Sequence, residues 1–197
     1  VDLTLQKGDR IALLGESGAG KSTLLKVLAS MYAAEGEYVI NGRPCRDYRY
    51  EDFRRQVTLL SQKTFVYSAS ICDNLTMFSG TAQQDEALTK TLADAGLSKW
   101  YAERGASMDI QIGGEEHALS GGEERRLDLA RTLWRKGSLV MLDEPAAGLD
   151  EKTRVELEKQ IAQLPCDILI VAMHNYSPEF LDSFTKVLRI RDGELEP

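Results

Sequence analysis

The chain has 197 residues and a formal net charge of −7, with 43% hydrophobic and 28% charged residues. These values are ordinary for a globular protein with room for one large domain. The longest apolar runs have the length of a strand, which is too short to cross a membrane. The acidic balance argues against a nucleic-acid partner, because nucleic-acid binding usually needs a basic face.

The opening stretch, VDLTLQKGDRIALLG, predicts a strand, a turn and a second strand. The chain begins at Val1, inside this pattern, rather than at a methionine. We therefore expect the sequence to be part of a longer polypeptide, cut just inside the edge of a domain.

A glycine-rich loop follows the second of these strands. Residues 11–14 form a continuous apolar run, as in a strand buried on both faces, and the pattern G-x-x-x-x-G-K-S follows directly. The next segment predicts a helix whose apolar face is formed by Leu24, Leu25 and Leu28. A strand, such a loop and a helix in this order predict a P-loop that binds nucleotide phosphates.

The chemistry of phosphate binding explains the composition of this loop. Glycines allow successive backbone N–H groups to turn towards phosphate oxygens, and the following helix presents the positive end of its dipole. Lys21 is predicted to reach the β- and γ-phosphates, and the hydroxyl of Ser22 to ligate Mg²⁺. The predicted nucleotide-binding residues are Gly15, Glu16, Ser17, Gly18, Ala19, Gly20, Lys21, Ser22 and Thr23.

The middle of the chain changes in character. The stretch GEYVINGRP predicts a strand and a tight turn, and QVTLLSQ predicts a strand that ends at Gln62. The strand signal fades over residues 63–120, where Leu88, Leu92 and Ala95 mark an amphipathic helix. This pattern predicts a mostly helical insertion in an α/β core.

A second candidate phosphate site lies in the stretch HALSGGEERRLDLAR. Ser120, Gly121 and Gly122 stand at the predicted start of a helix, where a hydroxyl, bare backbone N–H groups and the helix dipole can bind an anion. The helix itself is predicted from the periodic residues Leu127, Ala130, Leu133 and Trp134. For the letters SGG alone, an ordinary serine N-cap followed by flexible glycines would be the simpler interpretation.

The stretch SLVMLDEP supplies an acidic pair. Residues 138–142 predict a buried strand that ends at Asp143 and Glu144, and ligands of open α/β sheets bind at such strand ends. Asp143 is predicted to hold Mg²⁺, and Glu144 to polarise an attacking water as a general base. Beyond this pair, a helix with Val155, Ile161 and Leu164 on its apolar side leads to the strand DILIVAM and then to His174.

Six motifs of this sequence resemble, in the same order, those of the nucleotide-binding domains of ATP-binding cassette (ABC) proteins. Besides the P-loop and the Asp-Glu pair, the matching segments are Gln62 (Q-loop), Leu119–Glu123 (signature motif), Ala147–Asp150 (D-loop) and His174 (switch histidine). The resemblance covers essentially the whole chain. It implies an α/β P-loop NTPase fold with a RecA-like, mostly parallel sheet, a small antiparallel β region and a helical subdomain. One cassette domain would span 1–197, with its core at about 1–62 and 124–197 and the helical subdomain at about 63–123.

The resemblance also implies roles for individual residues. Ser120, Gly121 and Gly122 would cover the γ-phosphate of ATP held by a second cassette in a head-to-tail dimer. Asp150 would lie across that dimer interface. Glu123 stands where the family usually has glutamine, and we expect little loss of activity from this departure.

The remaining implied roles concern hydrolysis and nucleotide affinity. Gln62 would contact Mg²⁺ or the attacking water, and His174 would contact the γ-phosphate. ATP and Mg²⁺ are the implied cofactors. The family usually stacks adenine on an aromatic residue upstream of the P-loop, and residues 1–7 contain none. We therefore expect that residue to precede this sequence, and the affinity for ATP to be lower without it.

The stretch SQKTFVYSASICDNL resembles the exporter form of the Q-loop region, in which the cassette follows a transmembrane domain on the same chain. Gln62 and the segment 65–71 would then receive a coupling helix from that domain. The implied function is ATP hydrolysis that powers export, at the cytoplasmic face of the inner membrane, with membrane contact only through the transmembrane domain. The stretches LSGGEERRL and EPAAGLD also resemble heterodimeric bacterial exporters of cysteine and glutathione needed for cytochrome bd assembly.

Two other classes of protein share some of these motifs. A soluble ABC ATPase acting on DNA would share the P-loop and signature, but it typically carries long coiled-coil insertions, and residues 63–120 are too short and lack heptads. A plain P-loop kinase or binding module gives no reason for the signature, the D-loop or His174. The cargo, and whether the partner cassette is identical or related, are not encoded in these motifs.

Overall fold

The computed structural model describes residues 2–33, 35–79, 85–114, 117–191 and 193–196. Its strands are β1 Arg10–Leu14, β2 Val39–Ile40, β3 Arg43–Pro44, β4 Val57–Leu60, β5 Ala69–Ser70, β6 Gln111–Ile112, β7 Leu139–Asp143, β8 Ile168–Met173, β9 Lys186–Arg191 and β10 Glu194–Glu196. Its helices are α1 Lys21–Leu28, α2 Tyr50–Gln56, α3 Ile71–Thr76, α4 Asp85–Asp94, α5 Ser98–Glu103, α6 Gly121–Arg135, α7 Glu151–Ala162 and α8 Pro178–Leu181, with a 3₁₀ turn at Cys45–Asp47.

The main sheet has the strand order β10-β9-β1-β8-β7-β4. The pairs β9–β1, β1–β8, β8–β7 and β7–β4 are parallel, and β10 runs antiparallel to β9 at one edge. The predicted mostly parallel α/β sheet is therefore confirmed. Parallel strands end at the same edge, so the loops after β1, β4, β7 and β8 lie together.

Both faces of the sheet are covered by apolar side chains. Along β1, Ile11 and Leu13 face one cluster, whereas Ala12 and Leu14 face the other, and all are at most 6% exposed. This alternation follows from the two-residue period of a strand. Helices α1 and α2 cover the first face, and α4, α6 and α7 cover the second. This burial on both faces explains why residues 11–14 form a continuous apolar run.

The segment predicted to be mostly helical contains α3, α4 and α5. Leu88, Leu92 and Ala95 are fully buried there, as the helical spacing predicts. The segment also contains the short antiparallel pair β5–β6, and a second small antiparallel pair is formed by β2 and β3. Helix α6 runs without a break across residue 123, and the predicted subdomain boundary at that position stays a prediction.

The strand predicted before the first turn was wrong, because residues 2–6 are not in a strand. The backbone N–H of Gln6 donates to the Asp9 carboxylate at 2.7 Å, and the N–H of Gly8 donates to the carbonyl of Asp167 at 2.7 Å. These bonds close a tight turn onto β1 in place of a strand ladder.

Other parts of the fold had no counterpart among the predicted elements. Helix α2, helix α8 and the strands β9 and β10 were not predicted. The helix after Asp150 was predicted, but Leu164 lies beyond its end at Ala162, and Val155 is only half-buried. Within the described ranges, we find no helix with the length and apolar character that a membrane crossing requires.

Candidate active site

Four of the predicted site residues meet at the carboxyl edge of the main sheet. Gly15 follows β1, Gln62 follows β4, Asp143 ends β7 and His174 follows β8. The parallel order of these strands brings together residues that are up to 159 positions apart in the chain. The sheet topology thus assembles the site from separate loops.

The P-loop approaches β9 so closely that only glycine fits at its start. A Cβ atom added to Gly15 would lie 2.8 Å from the backbone oxygen of Ile190. Gly20, with φ +105°, turns the chain directly into α1. Lys21 is 4% exposed, and its Nζ donates to the carbonyls of Gly15 at 2.7 Å and Glu16 at 2.9 Å. The ammonium group is therefore held inside the loop that it is predicted to serve.

Glu144 is the point on which the other predicted catalytic residues converge. Its Oε2 accepts a hydrogen bond from Gln62 Nε2 at 3.0 Å, and its Oε1 lies 2.9 Å from His174 Nδ1. The same Oε1 is 3.9 Å from Lys21 Nζ, and the carboxylate side chain is 13% exposed. An amide, an imidazole and an ammonium thus surround one nearly buried carboxylate.

The backbone holds this carboxylate in an unusual conformation. Glu144 has φ +49°, which costs a non-glycine residue roughly 1–3 kcal/mol. Its N–H donates to the carbonyl of Ala172 on β8 at 2.9 Å, which ties the end of β7 to the neighbouring strand. A strained backbone kept in place by its neighbours is common at functional sites.

Asp143 offers an oxygen that fits a metal ion. Its side chain is 5% exposed, and within the described part of the chain its Oδ1 has no hydrogen-bond partner. A buried carboxylate oxygen without a partner is costly unless a cation or water reaches it. Ser22 lies in the first turn of α1 and is half-buried. Carboxylate and hydroxyl oxygens suit Mg²⁺, so this donor set fits the ion.

The second predicted phosphate site stands at the start of α6. Ser120 is the N-cap, and its N–H donates to Glu123 Oε2 at 2.8 Å while its Oγ accepts from the Glu123 N–H at 3.3 Å. This capping box could have been found in the sequence from its S-x-x-E spacing. Glutamate and glutamine can both form this capping box, which explains why Glu123 can stand where the family usually has glutamine.

The same helix start packs closely on α7. A Cβ atom added to Gly122 would lie 2.9 Å from the Cγ2 of Thr153, so a small residue is needed there. Asp150 is the N-cap of α7, and its Oδ1 accepts from the Thr153 N–H at 3.1 Å. The hydrogen bonds from Thr153 lower the pKa of the exposed Asp150 carboxyl. The two loops predicted to face a partner cassette therefore adjoin through these helix starts.

An aromatic surface lies beyond Gln62, partly in the segment 65–71 predicted to receive a coupling helix and partly at residues 77 and 78, directly after α3. Phe65, Met77 and Phe78 are 64%, 45% and 56% exposed. The ring of Tyr67 joins Phe65 at 4.9 Å and Phe78 at 5.3 Å, both in edge contacts. We call Phe65, Tyr67, Met77 and Phe78 the aromatic surface. Exposed apolar side chains that cluster in this way mark interaction sites.

Arg131 lies beneath this surface and was not predicted from the sequence. Its guanidinium donates to the carbonyl of Asn74 at 2.7 Å, to Asn74 Oδ1 at 2.8 Å, and to Asp128 Oδ1 at 2.8 Å. It also donates to the carbonyl of Phe65. The Asn74 amide in turn accepts from the N–H of Tyr67 and donates to its carbonyl. The one available signal was an arginine four residues after Leu127, on the apolar face of α6.

The fold and its site define a class of protein: a P-loop ATPase of the ATP-binding cassette type. Residues 1–147 match the family described as ABC transporter, and the chain belongs to that family. This membership confirms the resemblance drawn from the six motifs, and it implies ATP binding.

Individual relatives are transport proteins. The chain is 36% identical over 195 residues to the glutathione/L-cysteine transport system ATP-binding/permease protein CydC of Haemophilus influenzae, covering 98% of this chain and 34% of that protein. It is 30% identical over 198 residues to an ATP-dependent lipid A-core flippase of Photobacterium profundum, covering 99% and 33%. The chain thus spans about a third of the length of these curated relatives.

A solved structure supports the same fold. A bacterial Atm1-family ABC exporter with ATP bound superposes with a TM-score of 0.81 at 24% sequence identity. The match covers 97% of this chain and 33% of that one.

Proposed function

We propose that this chain hydrolyses ATP at a site shared with a second cassette and thereby powers export through a transmembrane domain. The observation that carries the proposal is the convergence of Lys21, Gln62 and His174 on the Glu144 carboxylate at one edge of the sheet. A binding module needs no such group beside its phosphate loop, whereas hydrolysis does.

In the proposed reaction, Glu144 accepts a proton as water attacks the γ-phosphorus and ADP leaves. Gln62 holds the carboxylate on one side and orients the water, and His174 on the other side contacts the γ-phosphate. Lys21 and the P-loop N–H groups stabilise the negative charge on the phosphates. The low exposure of Glu144 and Lys21 keeps the proposed general base fixed relative to the P-loop lysine.

Mg²⁺ belongs to this proposal because Asp143 and Ser22 offer it oxygens, and Gln62 is a further proposed contact. When bound, the ion neutralises charge on the β- and γ-phosphate oxygens. Among the residues that the structure describes, none forms a hydrogen bond with Asp143 Oδ1, which supports this assignment.

The second phosphate site serves another chain in this proposal. Ser120, Gly121 and Gly122 cover the γ-phosphate held by a partner cassette, and Asp150 lies across the interface. Ser120 and Gly121 are exposed, which leaves the helix start open to such a partner. ATP then favours the joined pair because it binds across the interface of the closed state alone.

The transport domain would dock on Gln62 and the segment 65–71, where the aromatic surface offers an apolar platform. The relatives' full length leaves room for such a domain. The cassette would accordingly lie at the cytoplasmic face of the inner membrane. The likeness to CydC favours a thiol-containing cargo such as cysteine or glutathione.

A soluble ABC ATPase acting on DNA is disfavoured by the helices of the insertion. Helices α3, α4 and α5 have six, ten and six residues, which is far from a long coiled coil. The relatives with transport functions point the same way.

The test is the Glu144→Gln chain. Steady-state ATP hydrolysis should fall about 100-fold or more, the size of effect expected for a general base, while ATP binding in a fluorescence titration is retained. Glu103→Gln, at an exposed position on α5, is the matched control and should hydrolyse ATP like the parent. Unchanged hydrolysis by Glu144→Gln would contradict the proposed role.

The same variant tests the shared site. Its sedimentation mass should double when ATP and Mg²⁺ are added, and Ser120→Arg placed in the same chain should abolish the doubling. An ATP-bound chain that stays monomeric would contradict a site shared between identical cassettes. Doubling that survives Ser120→Arg would contradict the role of the second phosphate site.

A further inference from the structure

A buried carboxylate on α7 touches the turn that carries His174. Glu158 is 2% exposed, and both of its oxygens face Ser177, three residues after His174. The Ser177 hydroxyl donates to Glu158 Oε2 at 2.6 Å, and the Ser177 N–H lies 3.2 and 3.3 Å from the two oxygens. A charged group this deeply buried needs such partners, and they fix its place.

Glu158 and Ser177 each make a further contact that fixes the position of their hydrogen-bonded pair. Arg154, one helical turn earlier on α7, donates to Glu158 Oε1 at 2.9 Å. Ser177 is also the N-cap of α8, where its Oγ accepts from the Phe180 N–H at 3.2 Å. The turn between β8 and α8 is thus fastened to α7 at its far end, while β8 holds its near end.

His174 depends on this turn because its own side chain is 52% exposed. Its ring contact with Glu144 is therefore not enforced by a surrounding wall of side chains. A cavity of about 90 Å³ lies between the turn and the D-loop, and both Glu144 and Glu158 line it. An open space on this side leaves room for the His174 ring to move when the turn is released.

We infer that Glu158 is a positioning residue: through Ser177 it holds the His174 turn against α7 and so sets the contact between His174 and Glu144. The inference rests on the proposed function, since His174 matters here as a partner of the proposed general base. It adds a connection from Asp150, the N-cap of α7, to His174. Movement of α7 at the cassette interface would reach His174 through Glu158.

The test follows the ring of His174 directly by NMR. The chain has two histidines, so His174→Ala assigns the His174 ring signals and leaves His117 as an internal reference. Glu158→Ala and Ser177→Ala should both move the His174 ring signals and leave those of His117 in place. Ser177→Ala keeps the pair between Glu158 and Arg154, and it therefore covers the case in which Glu158→Ala fails to fold.

Kinetics on the same folded variants give the second readout. Glu158→Ala should lower kcat roughly tenfold, below the hundredfold that a 1 Å misplacement can cost, with KM for ATP changed less than about twofold. Glu158→Gln should restore part of the loss because its amide oxygen can still accept from Ser177. Glu179→Gln, an exposed position on α8, is the control and should leave kcat and both sets of ring signals unchanged.

The outcomes separate the inference from the proposed function. His174 signals that stay in place in folded Glu158→Ala and Ser177→Ala would overturn the inference, whatever happens to kcat. An unchanged kcat in the same proteins would also overturn it. Shifted His174 signals in a chain without ATP hydrolysis would keep the positioning link and refute the proposed function.

Discussion

Replacing Arg131 by methionine tests how much the hydrogen bonds of its buried guanidinium, which connect α6 to the aromatic surface, contribute to the free energy of unfolding. The substitution keeps an unbranched apolar stem and removes the donors to Asn74, Phe65 and Asp128. The side chains of Arg131 and Asp128 are 10% and 12% exposed, so their pair belongs to the buried class. Breaking such a pair on one side typically costs about 3–5 kcal/mol.

The individual contacts agree with that range. The carbonyl of Asn74 loses its donor from Arg131, and an orphaned buried group costs about 1–3 kcal/mol. Asn74 Oδ1 still accepts a hydrogen bond from the Tyr67 N–H. The carbonyl of Phe65 also loses its donor, but Phe65 is exposed, so water can replace it. Most of the loss therefore comes from the Asp128 carboxylate, which keeps the weaker attraction of Arg125, and we expect about 3–5 kcal/mol in total.

Urea unfolding at pH 8 measures this loss, and thermal melting should show a drop of about 6–20 °C for a chain of this size. Burial raises the pKa of the Asp128 carboxyl despite the opposing effect of Arg131. Protonation of Asp128 removes its unpaired charge, so the loss should shrink as the pH falls towards that raised pKa. Arg135→Met, on an exposed position of the same helix, should change stability by no more than about 0.5 kcal/mol. A loss below about 1 kcal/mol for Arg131→Met, or a loss independent of pH, would contradict the stabilising role of the Arg131–Asp128 pair.

Two further predictions concern Tyr38 and Gly15. Burial raises the pKa of Tyr38 to about 12, and its hydroxyl donates to the carbonyl of Leu28 at 2.8 Å. This contribution is complete below about pH 10, the pKa of an unfolded tyrosine, and is lost as the pH rises from there through 12. Tyr38→Phe should lower the free energy of unfolding at pH 8. Between pH 8 and pH 11 the variant should lose less stability than the parent chain, and equal shifts of the urea midpoint in the two proteins would contradict this. Gly15→Ala forces a Cβ atom against the backbone oxygen of Ile190, so it should cost about 1–3 kcal/mol in urea unfolding and weaken ATP binding, and an unchanged midpoint would contradict the clash.

Most of the candidate active site could be predicted because its residues lie in short local motifs. A P-loop needs glycines, a lysine and a hydroxyl within eight positions, and the acidic pair directly ends an apolar run. Such patterns do not require knowledge of the sheet order. The contacts of Glu144 with Gln62 and His174 join residues 82 and 30 positions apart, and the sheet topology alone brings them together.

The unpredicted parts lack a periodic apolar pattern. Strand β9 reads KVLRIR and is exposed at both ends, and Ile190 is its one fully buried residue. Helix α2 has a single buried side chain, Phe53, among charged neighbours. The error at residues 2–6 has the opposite cause: the letters alternate as in a strand, but hydrogen bonds to Asp9 and Asp167 close a turn instead.

Arg131 and Glu158 escaped prediction for a common reason. Both are charged residues with a partner far away in the chain, Asn74 for Arg131 and Ser177 for Glu158, and a contact between distant residues cannot be recognised from the local sequence. Each lies on a helix that begins at an N-cap on the proposed cassette interface: Ser120 for α6 and Asp150 for α7. At 1.5 Å per residue, Arg131 stands about 16 Å from Ser120 and Glu158 about 12 Å from Asp150.

Two helices of this kind can carry displacement across the molecule, because helices are stiff along their axes and packed cores do not deform continuously. Movement of the aromatic surface would reach the Ser120 end of α6 through Asn74 and Arg131. Movement at Asp150 would reach His174 through Glu158. The small loop at Ser120, proposed to serve another chain's phosphate, therefore need not be an independent site. The helix that begins at Ser120 is held by a buried ion pair about three turns further on, and the helix that begins at Asp150 by a buried ion pair about two turns further on.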